Sequence, residues 1–432
     1  MTTFGKKGYM KDKAEPIRPN YHEVNYDPKI IAPYTLEDPL TFLSGRKVSS
    51  PGQWPARRRE ILDIFAREMF GKEPPAPECV KIELIEEKEG ALAGFAVRSQ
   101  YRMWFKPDKS GPCLDFLVLR PRYCTGKARP VIFLNYDGNH ELIPDKEVII
   151  PEGMWSHYME DHQVSKKRGT QCDPNQDSVL PVGMLLNSGF AVISCCYCQV
   201  SPDPLHTEKD ARFRQDPFAY TKIFELWGKQ DESRTDNTTA LGAWAWALSR
   251  GLDLAETIPQ LDAKRSIVTG YSRLGKAALL AAARDERFAV CVPVQCGGGG
   301  AALAKRDFGE NISTEIRMFR HWYCKAYDKY AADPAKLLTF DQHLLLAAVA
   351  PRKLLIAGFD NPWFDTEGEY LACKAASSAW KICGKAPFPE VPFPGDFDTS
   401  AIGQDLGYYR RSEGHGIAYF DWLQLIRFAN KP

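Results

Sequence analysis

Ser272 sits in the string Gly270-Tyr271-Ser272-Arg273-Leu274-Gly275-Lys276, which joins a short apolar run at 266–269 to an alanine- and leucine-rich stretch. A serine at a sharp strand-to-helix turn has its hydroxyl lifted clear of the sheet. The helix N-terminus beneath it favours developing negative charge. That is the geometry of a nucleophile for acyl transfer. Small residues let strand and helix approach closely, the role expected of Gly270 and Gly275. The string departs from the general G-x-S-x-G pattern because its second glycine falls one place late. An ordinary helix N-cap serine shares the same local signature. The chemical reading therefore needs partners: a base for the hydroxyl proton, a group to orient that base, and donors for the oxyanion.

The chain that must position these groups has 432 residues, 44% hydrophobic and 26% charged, with a formal net charge of +1. It is long enough for one elaborate α/β domain or two smaller ones. Near-neutral charge argues against a nucleic-acid binder, which needs a basic face. No apolar run approaches the length needed to cross a bilayer. The polar N-terminus lacks the apolar segment of a signal peptide, so either the protein stays in the cytosol or an export signal has been removed. Twelve cysteines without zinc-finger spacing argue against structural zinc, and one or two disulfides are compatible with export.

The first ~50 residues read as an extended arm, followed by a predicted helix at 57–71 and antiparallel edge strands at 79–87 and 95–105. Short apolar runs then recur at 131–135, 190–194, 266–269, 288–294 and 353–358, separated by helical stretches such as 238–252 and 277–283. Continuous apolar strands alternating with helices predict a mostly parallel sheet covered on both faces. The polar, irregular stretch 144–181 reads as an active-site insertion. The expected organisation is an N-terminal arm, helix and edge strands over 1–100, packed on a catalytic domain over 101–432.

GYSRLGK at 270–276, WAWALSRGLDLAE at 244–256 and DERF at 285–288 resemble the glucuronoyl esterases, carbohydrate esterase family 15, of the bacterial type. So do LNYDGNH at 134–140, GGAAL at 299–303, FGENI at 308–312, HWYC at 321–324, TFDQHLLLAAVAPRKLLIAG at 339–358 and DTEGEY at 365–370. The resemblance spans residues ~115–422 in the family's order. It implies an α/β-hydrolase three-layer sandwich with a mostly parallel central sheet, here with an N-terminal extension. It also implies a serine carboxylic-ester hydrolase acting on esters of (4-O-methyl)glucuronic acid with lignin alcohols, through an acyl-enzyme and without metal or organic cofactor. The expected partner is a glucuronate-bearing carbohydrate, with neither nucleic acid nor membrane. Two alternatives are an acetylxylan or other carbohydrate esterase, and a non-catalytic carbohydrate-binding protein.

In α/β-hydrolases the chain order is serine, acid, histidine. Of the two downstream candidates, His343 falls in a helix-like run beside Asp341, where buried supporting contacts are expected. His415 lies in the glycine-flanked loop Gly414-His415-Gly416 before a predicted helix at 417–428, where a mobile catalytic imidazole would be presented and where the family places its own. The acid is the departure. The family's usual glutamate position falls on Gln295, a neutral amide that can orient an imidazole but cannot stabilise its cation. Some bacterial relatives carry an acid after the next strand, which makes Asp360 the expected acid and Asp365 the fallback, although Asp365 also reads as a helix N-cap.

Arg273 offers its backbone N–H to the oxyanion, and the resemblance adds its guanidinium; such a donor contributes about 3 kcal/mol in a dry site. Lys276, one turn along the same helix face, corresponds to a lysine that contacts sugar hydroxyls. A lysine at a helix start calls for a ligand or a nearby acid. Glu310 and Trp363 match positions that bind the glucuronate ring, by bidentate hydrogen bonding and by an apolar face with one N–H donor. His321 and Trp322 are weaker candidates for such contacts, since an aromatic there could simply fill the core beneath the site, and the loop 137–140 reads as supporting architecture.

Overall fold

A computed structural model describes residues 24–151, 154–155, 163–204 and 219–432. The arm expected at the N-terminus lies outside the described residues as far as residue 23, as do parts of the 144–181 stretch.

The first helix, α1 (Trp54–Glu68), precedes the sheet. Its nine strands are β1 (Lys81–Ala91), β2 (Ala96–Trp104), β3 (Cys113–Pro121), β4 (Arg129–Asn135), β5 (Phe190–Cys196), β6 (Ile267–Tyr271), β7 (Val290–Val294), β8 (Lys353–Phe359) and β9 (Leu406–Arg411), in the order β1-β2-β3-β5-β4-β6-β7-β8-β9. The pairs from β1 to β5 along that order are antiparallel, and those from β5 to β9 are parallel. The residue-100 boundary falls inside β2, whose partners β1 and β3 lie on either side of it.

Every residue of β4, β5 and β7 is buried, which is why these strands read as unbroken apolar runs. Successive side chains supply opposite cores. Ile132 and Leu134 join Val268, Cys291, Leu354 and Ile356 on one face, against α2 (Ala240–Thr257) and α3 (Arg273–Arg284). Val131 and Phe133 join Ile267, Val292 and Leu355 on the other, against α6 (Tyr419–Ala429). Two short helices complete the frame of the site, α4 (Ile312–Met318) and α5 (Thr366–Ala376). This is the three-layer α/β-hydrolase arrangement.

The sequence pattern passed over β3 and β9. In β9, Leu-Gly-Tyr-Tyr-Arg-Arg hides its burial behind two arginines. Arg411 is nonetheless fully enclosed because Asp421 of α6 neutralises it at 2.8 Å. All twelve cysteines are free. No helix among the described residues is long and apolar enough to cross a membrane.

Candidate active site

Ser272 stands between the last residue of β6 and the first of α3, with φ 55° and ψ −131°. A non-glycine residue in that region is strained and persists only where its surroundings over-determine it. Three sets of bonds do so. Its N–H donates to the Val294 carbonyl at 2.9 Å, and its own carbonyl accepts from Gly275 and Lys276 at 2.9 and 3.1 Å. The Tyr136 hydroxyl donates to the Tyr271 carbonyl at 2.8 Å. Gly270 and Gly275 are required by contact: a Cβ on the first would lie 2.5 Å from the Leu274 carbonyl, and one on the second 2.9 Å from that of Val294.

His415 follows β9, and its ring meets Tyr271 edge-on with centroids 5.7 Å apart. Phe364 and Phe359 cover it at 5.0 and 5.9 Å. The expected mobile presentation gives way to a clamped loop. The Arg411 guanidinium donates to the carbonyls of Gly414 and Gly416 at 3.2 and 2.5 Å. Gly416 packs so closely on the backbone of Asp177 that a Cβ would lie 2.6 Å from its carbonyl oxygen. The flanking glycines serve close approach. Burial, then the positive charges of Arg273, Arg411 and Lys276, push the His415 imidazole down to about 3.

The orienting group differs from the expected one. His415 Nδ1 lies 2.8 Å from Gln295 Oε1. Gln295 follows β7, held at φ 49°, next to the strand that carries Ser272. Asp360, the acid expected from sequence, forms an ion pair with Arg410 and its side chain is 44% exposed. The backbone explains the correction: Asp360 N–H donates to the Arg411 carbonyl at 2.8 Å, which continues the β8–β9 ladder and leaves the carboxylate beside the Arg410 side chain. Asp365, the fallback, caps α5 by accepting from Gly368 N–H at 3.1 Å and meets Arg306 Nε at 2.8 Å. Its structural reading is the one observed.

Arg273 is buried and its guanidinium is paired with Asp203. The same carboxylate accepts from His321 Nε2 at 2.8 Å and Trp322 Nε1 at 2.9 Å, and the guanidinium lies over the rings of Phe319 and Trp322, 5.1 Å from each centroid. Asp203 was missed by sequence reasoning. His321 and Trp322, open between sugar contact and core filling in the sequence, are among its hydrogen-bond donors.

Lys276 finds the anion its position called for. Its Nζ lies 2.6 Å from Glu310 Oε2 and 3.6 Å from Glu315 Oε1, with all three side chains buried. Tyr323 donates to Glu315 Oε1 at 2.6 Å. Burial pushes the Glu315 carboxyl up to about 8, with Lys276 opposing and Glu310 reinforcing the rise. Glu315, on α4, had no sequence signal beyond its five-residue spacing from Glu310. Glu310 and Trp363 are neighbours through the backbone, Glu310 N–H donating to the Trp363 carbonyl at 2.7 Å.

The remaining candidates are structural. His343 donates from Nε2 to the Glu37 carbonyl at 2.7 Å, and Asp341 accepts from the N–H groups of Ala304, Lys305 and Gln342. In the 137–140 loop, Gly138 N–H donates to Asn135 Oδ1 at 2.8 Å and His140 Nε2 to the Ser165 carbonyl at 2.7 Å.

Comparison with known proteins places the chain. Residues 187–384 match the family model described as glucuronyl esterase, fungi. A carbohydrate esterase from an unknown prokaryotic organism is 31% identical over 413 residues, covering 94% of this chain and 91% of its own. A 4-O-methyl-glucuronoyl methylesterase from Schizophyllum commune is 33% identical over 81% of this chain and 74% of its own. Among solved structures, a glucuronoyl esterase from Solibacter usitatus superposes with a TM-score of 0.83 at 31% identity, over 94% of this chain and 99% of its own. A promiscuous family 15 esterase from a marine bacterial metagenome gives a TM-score of 0.83 at 29% identity, over 95% and 100%. The chain belongs to the glucuronoyl esterases of carbohydrate esterase family 15.

Proposed function

We propose that this protein hydrolyses carboxylic esters of glucuronic acid, with Ser272 as nucleophile and His415 as its base. The observation that carries the reading is the meeting of two strand ends: the strained elbow at Ser272 and the imidazole of His415, which packs on Tyr271 and is oriented from the end of β7. The fungal relatives, 4-O-methyl-glucuronoyl methylesterases, support the substrate class.

In this reading Ser272 Oγ attacks the ester carbonyl as His415 Nε2 takes the hydroxyl proton. The tetrahedral oxyanion is met by the N–H groups at the start of α3 and by the field of Arg273. Collapse breaks the bond to the alcohol oxygen, which leaves with the proton from His415, and the uronoyl group stays on Ser272. Water, activated by the same imidazole, releases glucuronic acid. Lys276, Glu310 and Trp363 line the ground on which the sugar ring binds: the cation–carboxylate pair offers both a donor and acceptors to adjacent hydroxyls, and the indole offers an apolar face.

The experiment compares hydrolysis of a benzyl glucuronate ester with that of acetylated xylan by the wild-type protein and Ser272→Ala, together with labelling by a serine-directed phosphonate. Expected are uronate-ester turnover, its loss in Ser272→Ala by on the order of a thousandfold or more, and label on Ser272. Release of acetate alone would reject the substrate class, and either a wild-type Ser272 that stays unlabelled or a fully active Ser272→Ala would reject the nucleophile.

A further inference from the structure

The His415 imidazole is oriented by an amide whose own orientation is dictated by the backbone. Gln295 Oε1 accepts from Gly416 N–H at 3.0 Å, and Gln295 Nε2 donates to the Gly414 carbonyl at 3.1 Å. Turning the amide over would set NH2 against N–H and C=O against C=O. The two backbone groups that flank His415 therefore decide which end of the amide faces the ring. With Oε1 against Nδ1 at 2.8 Å, Nδ1 must carry the proton, and Nε2 keeps its lone pair.

We propose that Gln295 is the positioning residue of this centre, a neutral amide that pins the Nδ1–H tautomer of His415 so that Nε2 takes the Ser272 proton with no carboxylate of the described residues in contact. The proposal rests on the reading of Ser272 and His415 given above. In the first step the Oγ–H bond breaks as Oγ–C forms, the proton passes to Nε2, and the imidazolium keeps Nδ1–H directed at Gln295 Oε1. The reverse transfer delivers that proton to the leaving alcohol.

The surroundings of the ring set the consequence. Tyr271, Phe359 and Phe364 pack on it, Gln295 bonds to it, and among the described residues the charges that act on it are Arg273 and Lys276 from α3 and Arg411 from β9, all cationic. Each disfavours protonation in the free protein. The base thus stays neutral and competent into acidic solution, where an imidazole in contact with a carboxylate would already be protonated.

The test compares wild type with Gln295→Glu and Gln295→Leu on a methyl glucuronate ester across pH, and reads the ring nitrogens of His415 by NMR in ¹⁵N-histidine-labelled wild type. Expected in the wild type are a protonated Nδ1 at neutral pH and an acid limb of kcat/KM well below the ordinary imidazole range. Gln295→Glu supplies a charge at the same distance and moves that limb up by about one pH unit or more. Gln295→Leu loses roughly a hundredfold in kcat with KM little changed. A protonated Nε2 in the wild type, or an acid limb unmoved in Gln295→Glu, overturns the proposal. Undiminished kcat in Gln295→Leu does the same. Should the leucine variant not fold, the glutamate profile and the wild-type spectrum decide. The spectrum needs no turnover, so an inactive Ser272 reading and a wrong tautomer are told apart.

Discussion

Arg273 and Asp203 form an ion pair in which the arginine side chain is 5% exposed and the aspartate 0%. Further donors, among them His321 Nε2, Trp322 Nε1 and the Tyr197 hydroxyl, converge on the same carboxylate. A buried charge with satisfied partners is fixed in place, and removing one partner strands the other at a cost of about 3–5 kcal/mol. Asp203→Asn keeps the shape of the site and removes the negative charge from the buried pair. The expected outcome is a loss of unfolding free energy of roughly that size in urea titration, with kcat on the uronate ester falling because the cation beside Ser272 is no longer held. A midpoint and kcat equal to wild type would show that the pair contributes neither stability nor placement.

Asp360 carries the opposite expectation. Its carboxylate is half-exposed and engaged with Arg410, and surface ion pairs contribute about 0–1 kcal/mol. Asp360→Ala should leave kcat and the pH profile of ester hydrolysis within about twofold of wild type, and should shift the melting temperature by no more than a degree or two. A loss of several hundredfold would return the orienting role to this aspartate and require the loop after β8 to rearrange when substrate binds.

The elbow and the parallel half of the sheet were legible because local rules govern both. A short apolar run, small residues around a serine and an alanine-rich helix are contiguous, and continuous burial of β4, β5 and β7 writes itself as unbroken hydrophobicity. Asp203 was not legible: it lies 70 positions from Arg273, and no spacing rule joins an aspartate in a loop to a helix start on another element. Arg411 disguised β9 for a related reason, since a fully buried arginine is readable only once Asp421 is known to sit beside it. Gln295 falls on the family's usual acid position but carries no charge, and residue type alone favours an aspartate for that contact. What decides the Nδ1 partner is the direction in which the end of β7 aims its side chain.

Lys276 and Glu310 offer a test that separates binding from folding. The pair is 2.6 Å apart with side chains 2% and 6% exposed, so Lys276→Met strands Glu310 beside Glu315. The double variant Lys276→Met/Glu310→Gln removes both charges and restores most of the stability lost in the single one, by about 2–3 kcal/mol. Binding should not recover in parallel. KM for a glucuronate ester is expected to rise about tenfold or more in both variants, measured beside a simple phenyl acetate whose KM should move much less. Equal effects on the two substrates would remove these residues from recognition of the sugar.

Glu369 on α5 ties the loop of the orienting amide to the core, and its ionisation should make stability pH-dependent. Its Oε1 accepts from Gly297 N–H at 2.9 Å, while Oε2 is enclosed without a hydrogen-bond partner among the described residues. Burial pushes this carboxyl up to about 8, with the Gly297 N–H bond opposing. The unfolded chain releases the proton near 4.5, whereas the folded protein retains it until about 8. Between these values the folded state binds more protons, so stability falls as pH rises through that window. Glu369→Gln keeps the acceptor for Gly297 and never ionises. Its melting temperature should match or trail the wild type at pH 5 and gain on it steadily towards pH 8, by the equivalent of a few kcal/mol at most. Glu315 shares the window but is present in both proteins, so the difference isolates Glu369. A gap that stays constant from pH 5 to 8 would mean that this carboxyl is already ionised in the folded protein.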